Sequence, residues 1–214
     1  MNSRNLERSL IDGAAGTIET VIAVPETAPR GIALVTHPHP LQGGTLDNKV
    51  TTTLARTFFA LGYAAIRFNF CGVGRSSGTF DEGLGETEDA LTVLTRMRER
   101  FGAGLPIALA GFSFGSFVQT RVAQRVVPEG LVLVGAAVKR FELAPVPKTT
   151  IVIHGEQDDV VPLADVFDWA RPQQVPVVVF PGCGHFFHGR IVQLAQVVAA
   201  MWPQRDAPGA YASA

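Results

Sequence analysis

Two segments of the chain carry the pattern Gly-x-Ser-x-Gly: Gly111-Phe112-Ser113-Phe114-Gly115 and Gly74-Arg75-Ser76-Ser77-Gly78. Among 22 glycines the bare pattern means little, so context must separate the two. A serine hydroxyl becomes a usable nucleophile when a sharp strand-to-helix turn presents it and flanking glycines keep Cβ atoms out of the bend. Ser113 has that context. The apolar run Ile107–Ala110 leads straight into Gly111, and Phe114 to Val126 holds one glycine at its start and no proline. A helix starting there would also aim unpaired N–H groups and its positive dipole end at the reacting oxygen. Ser76 is followed by Gly78-Thr79-Phe80-Asp81-Glu82-Gly83-Leu84-Gly85, which cannot begin a helix at once, and is expected in a surface loop.

Such a serine needs a base to take its proton, and the base needs an orienting partner. Of the five histidines, His185 lies in a glycine-loosened loop just past the last apolar run and is the candidate base; His188, three residues on, competes with it. His154 follows Ile151–Ile153 directly and is expected to bond backbone in the turn. For the acid, the stretch from His154 to Pro162 offers Glu156, Asp158 and Asp159. Asp158 sits far enough past the turn to reach a neighbouring loop, while Asp159 could cap the following helical segment; spacing alone does not separate them. The oxyanion of an acyl-transfer intermediate needs backbone donors. The Phe114 N–H is one. A second should come from His37-Pro38-His39-Pro40-Leu41-Gln42-Gly43-Gly44, where the prolines lack an N–H, leaving His39 or Leu41. His39 is favoured, its direction fixed by the flanking prolines. A zinc site on His37 and His39 is disfavoured, because no HExxH-like partner set accompanies them.

These groups need a frame. Apolar runs at Ile18–Val24, Ile32–Thr36, Ala64–Phe70, Ile107–Ala110, Leu131–Val134, Ile151–Ile153 and Val177–Phe180 alternate with periodic stretches at Asn48–Leu61, Glu86–Phe101, Ser113–Val126, Leu163–Trp169 and Ile191–Trp202. Alternation of this kind predicts an α/β fold, a mostly parallel sheet wrapped by helices on both faces. In open sheets of this class, chemistry sits beyond the carboxyl ends of the strands, where Ser113 and His185 both fall. There is no internal repeat and no second hydrophobic unit, so residues 1–214 read as one domain with an ordered core of about 7–203; Asp206–Ala214 are expected to fray.

Composition narrows the function. The 214 residues are 47% hydrophobic and 17% charged, with a net charge of −1 and no basic stripe, which argues against a nucleic-acid partner. No run approaches a membrane span or a signal peptide. Cys71 and Cys183 cannot form a disulfide scaffold. A cytoplasmic location with free thiols is expected. Gly72-Val73-Gly74 after a strand hints at a dinucleotide fingerprint, but its third glycine would fall on Ser77, so the motif fails and no cofactor is expected.

The order Ser113…Asp158…His185 resembles that of the α/β-hydrolase superfamily, as do the segments Gly111–Gly115, His154–Pro162 and Gly182–His185. The His-Pro-His-Pro loop and the residues to Val50 resemble a group of small bacterial serine hydrolases, similar also to dienelactone hydrolases with serine in place of cysteine. The resemblance implies an eight-stranded, mostly parallel sheet whose second strand is antiparallel, with Asp158 as the acid. It implies hydrolysis of a small-molecule carboxylic ester or thioester through an acyl-serine; the rival reading is a non-catalytic scaffold on the same fold. Many relatives insert a helical cap after the sixth strand, but here Gly135–Thr150 is short and carries Pro145 and Pro147, so no lid domain is expected. Phe112, Phe114, Phe186 and Phe187 flank the candidate positions and could line an apolar acyl pocket.

Overall fold

Runs of four to six β-branched and apolar residues cannot bury themselves as isolated helices, but they can when laid side by side between two helical layers. A computed structural model of the protein, describing residues 5–203, shows them so arranged. The strands are β1 (Leu6–Gly13), β2 (Gly16–Ala23), β3 (Ile32–Thr36), β4 (Ala64–Phe68), β5 (Ile107–Phe112), β6 (Gly130–Val134), β7 (Ile151–Gly155) and β8 (Val177–Phe180). The helices are α1 (Lys49–Ala60), α2 (Leu84–Phe101), α3 (Phe114–Val122), α4 (Leu163–Ala170) and α5 (Ile191–Met201). One sheet has the order β1-β2-β4-β3-β5-β6-β7-β8. β2 runs antiparallel to both β1 and β4, and every pairing from β4 through β3 to β8 is parallel. This is the α/β-hydrolase fold.

The pleat divides the core. Ile32, Leu34, Ile107 and Leu109 face α2 and α3, packing on Ala90, Leu94, Phe117 and Val118. Their neighbours Ala33, Val35, Ala108 and Ala110 face α1 and α5, packing on Leu54, Phe58, Leu194 and Val198. Each fully buried Leu, Ile or Phe contributes roughly 1.5–3 kcal/mol relative to exposure, so both faces resist slippage of the strand register. Among the described residues no helix is long and apolar enough to cross a membrane.

Several boundaries differ from the sequence reading. β1 was not anticipated: its side chains are mostly exposed, and it exists because it pairs with β2 from Leu6↔Ala23 to Gly13↔Gly16. β4 stops at Phe68 rather than Phe70, since the Asn69 side chain turns aside to accept the Leu46 N–H and to donate to Glu19. α3 ends at Val122, four residues early, and the chain leaves it through turns such as Arg125 N–H to Val122 O. α2 starts at Leu84 because the Glu86 carboxylate accepts the N–H groups of Asp81 and Gly83. Residues 135–150 form turns and no helix, so no lid covers the carboxyl edge of the sheet. The Asp206–Ala214 tail lies outside the described residues.

Candidate active site

Ser113 is the single residue between β5 and α3, with φ 55° and ψ −116°. A non-glycine residue held there stores on the order of 1–3 kcal/mol, which the surroundings must offset. They do so by contact and by hydrogen bonds. A Cβ on Gly111 would collide with Gly115 O, and one on Gly115 would lie 2.5 Å from Thr36 O, so the bend closes only with glycine at both positions. The Ser113 N–H donates to Val134 O at 2.9 Å, the Ser116 hydroxyl to Gly111 O at 2.9 Å, and the Thr36 hydroxyl to Gly115 O at 2.8 Å.

Two other strand ends bring the remaining groups to this hydroxyl. His185, in the loop after β8, has Nε2 3.0 Å from Ser113 Oγ and Nδ1 2.7 Å from Asp158 Oδ2, which follows β7. The carboxylate can only accept, so Nδ1 carries the imidazole proton and Nε2 is left to accept from the serine. Ser113, Asp158 and His185 are 7%, 6% and 3% exposed. The other oxygen of Asp158 accepts from the amides of Val160 (3.0 Å) and Val161 (2.7 Å). Burial acts to raise the Asp158 pKa, but the His185 hydrogen bond, the Val161 amide and the two neighbouring imidazoles outweigh it and leave it below its ordinary value. The carboxylate therefore stays charged where it faces the imidazole.

The neighbouring candidates fall into supporting places. His154 donates from Nε2 to Val161 O at 2.8 Å, bonding backbone in the turn, and burial holds its pKa down. His188 is exposed and stacks on Phe186. Asp159 is exposed and caps nothing; the amides that open the turn toward α4 go to Asp158 instead. Ser76 is in a loop but not at the surface. Its buried hydroxyl accepts the Glu19 N–H at 2.9 Å and donates to Asn69 O at 2.7 Å, so it is spent on structure.

The Pro-flanked loop after β3 lies across the site. The Leu41 N–H is taken by His39 Nδ1 at 3.2 Å, whereas the amides of His39 and Phe114 make no bond among the described residues. His37 is wholly buried; its Nδ1 donates to Pro38 O (2.7 Å) and its Nε2 accepts the Phe70 N–H (3.0 Å). With both ring nitrogens committed, desolvation pushes its pKa down to about 3. Neither nitrogen is free to hold a metal. Among the described residues no cluster of His, Cys, Asp and Glu could hold a metal ion.

Two cavities meet at Ser113. The larger, about 250 Å³, is walled by Phe114, Phe141, Ala137, Val160, Val161 and Pro162, with Lys139, Arg140 and Asp165 also on its lining. The smaller, about 110 Å³, includes His185, Phe186, Gly43 and Gly44, and both are bordered by His39, Gln42 and Val160. Of the four phenylalanines expected to line a pocket, Phe114 and Phe186 do so, while Phe112 and Phe187 are fully buried core side chains. Phe141 and Arg140 were missed, because the stretch after β6 carries no pattern that marks it as a cavity wall.

Comparison with known proteins bears on the family and the fold. A family model described as serine aminopeptidase, S33, matches residues 41–149, a region that includes Ser113 but stops before Asp158 and His185. An α/β serine hydrolase homologue from Coxiella burnetii is 36% identical with a TM-score of 0.83, covering 94% of this chain and 97% of its own. An α/β serine hydrolase without lid from Xanthomonas campestris is 32% identical with a TM-score of 0.87, covering 95% and 98%. An uncharacterized protein of Rickettsia prowazekii is 30% identical over 202 residues, 87% of this chain and 84% of that one. The chain thus belongs to the serine aminopeptidase S33 family, within the α/β-hydrolase superfamily of serine hydrolases.

Proposed function

We propose that the protein hydrolyses small carboxylic esters or thioesters through an acyl-serine intermediate. Ser113 Oγ attacks the carbonyl carbon as its proton passes to His185 Nε2, and Asp158 stabilises the imidazolium that forms. The amides of His39 and Phe114 receive the oxyanion. Collapse of the tetrahedral intermediate moves the proton from His185 to the departing oxygen or sulfur. Water then repeats the sequence on the acyl-serine, releasing the acid and restoring the hydroxyl. The observation that carries this reading is the unbroken chain from Ser113 Oγ through His185 to Asp158, at 3.0 and 2.7 Å.

The family description raises a second reading, hydrolysis at a free peptide N-terminus. A protonated α-amine needs an unengaged carboxylate. Asp165 is the one acid on the larger cavity; its Oδ1 pairs with Lys139 at 3.1 Å, and with Arg140 also on the lining the net charge there is positive, which disfavours an ammonium and favours an ester. We place the reaction in the cytoplasm, where the two buried, unbridged cysteines suit a reducing compartment. The test is covalent labelling with a fluorophosphonate, followed by p-nitrophenyl ester turnover. Labelling at Ser113, lost in Ser113→Ala, with turnover abolished in Ser113→Ala and His185→Ala, supports the mechanism. An unlabelled folded protein leaves the non-catalytic scaffold as the better reading.

A further inference from the structure

The two cavities at Ser113 are not equivalent, and the reaction assigns them. His185 must hand its proton to the leaving group, and it borders only the smaller cavity. The leaving group therefore occupies that side and the acyl chain the larger one. At about 250 Å³ the larger cavity is below the roughly 300–1,000 Å³ of pockets for drug-sized ligands, so it suits a short chain.

The charges on its lining decide what that chain carries. Lys139 and Asp165 neutralise each other. The exposed Arg140 guanidinium has no hydrogen bond or ion pair among the described residues, and it borders the same cavity. His39 adds no charge: burial and the Arg140 guanidinium both hold its pKa below the ordinary value, and its Nδ1 accepts the Leu41 N–H. The neutral ring therefore carries its proton on Nε2. The cavity is left with one uncompensated positive charge on a lining that also presents the apolar side chains of Phe114, Phe141 and Val161.

Resting on the ester-hydrolase reading, we infer that the preferred acyl group is a short chain ending in a carboxylate, a half-ester of a dicarboxylic acid, with Arg140 as the residue that selects it. Arginine suits the task, since its fork meets a carboxylate with two parallel hydrogen bonds.

The experiment compares monoethyl glutarate with ethyl pentanoate, followed by proton release. The expected result is a kcat/KM about tenfold higher for the anionic ester, the scale of one charge-assisted hydrogen bond pair, carried in KM. The preference should shrink with added salt as screening grows. Arg140→Gln should bring the two esters close to parity, and Arg140→Glu should reverse their order. Equal kcat/KM values in the wild type, or a preference that survives Arg140→Gln, overturns the inference while Ser113-dependent turnover of ethyl pentanoate leaves the hydrolase reading standing. Failure to cleave either ester, with no fluorophosphonate adduct on Ser113, removes both.

Discussion

Holding His37 neutral should make the protein sensitive to acid in a way that a single substitution can isolate. Its imidazole is fully buried, donates to Pro38 O and accepts from the Phe70 amide, and its pKa is pushed down to about 3 from an ordinary value of 6.5. The sign follows from proton counting. Above the unfolded value neither state binds a proton here, so the site contributes nothing to the pH dependence. Below it the unfolded chain takes up a proton that the folded protein refuses, and stability falls until the folded value is reached. At about pH 5, roughly 1.5 units below the unfolded value, the loss is about 2 kcal/mol, and it continues at about 1.4 kcal/mol per unit. His37→Phe removes the titrating group while keeping the ring volume, and leaves the Phe70 amide and Pro38 carbonyl unpaired at a cost of about 1–3 kcal/mol each. Urea unfolding of both proteins near pH 7.5 and near pH 5 measures the difference. The variant starts less stable but loses about 2 kcal/mol less between the two conditions. Other titrating groups contribute to both proteins and cancel. Parallel losses in the two proteins would refute the claim that this imidazole is kept uncharged.

Three further outcomes follow from the site. Asp158→Asn retains an oxygen for the Val160 and Val161 amides but offers His185 Nδ1 a donor, forcing the wrong tautomer; kcat for a p-nitrophenyl ester should fall on the order of 10⁴-fold with little change in thermal midpoint. Gly115→Ala would press a methyl within 2.5 Å of Thr36 O, displacing the Phe114 amide, so it should lower stability by about 1–3 kcal/mol and depress kcat in the same ester assay. Ser76→Ala leaves the Glu19 amide and Asn69 carbonyl unpaired; denaturant titration should show a loss of about 1–3 kcal/mol while the folded protein keeps its turnover.

The parts of this site legible in the sequence are those whose chemistry is local. The strand β5 that runs into the turn, and the helix α3 that opens at Phe114, separate Ser113 from Ser76, whose flanking glycines are the same but whose neighbours form neither element. Proline's missing N–H narrows the loop after β3 to His39 or Leu41, but only the imidazole of His39 folding back on the Leu41 amide distinguishes them. Asp158 and Asp159 differ in direction rather than in type, which spacing cannot express. β1 lacks an apolar face, and its strand character comes from the partner it pairs with. Phe112 and Phe187 illustrate the opposite limit: adjacency to a functional residue in sequence says nothing of which side of the backbone the ring takes. Arg140 and Phe141 sit in irregular chain whose path is set by tertiary contacts alone.

Without a lid, this site has no closure step to desolvate and align its groups, so alignment must be built into the sheet. Thr36, at the end of β3, is paired with Gly111 of β5, and its hydroxyl reaches Gly115 O at 2.8 Å and Ala110 O at 3.3 Å. The buried Gln119 amide joins Leu34 O and Ala110 O one turn deeper. One joint between adjacent strands thus fixes both the strained serine and the start of the loop that carries His39. The His37 ring extends the joint sideways to Phe70, just beyond β4. The amides of Phe114 and His39 follow these two adjacent strand ends, so the joint between the strands anchors both segments that carry them. That is how an uncovered edge can keep neighbouring loops in fixed register without a lid.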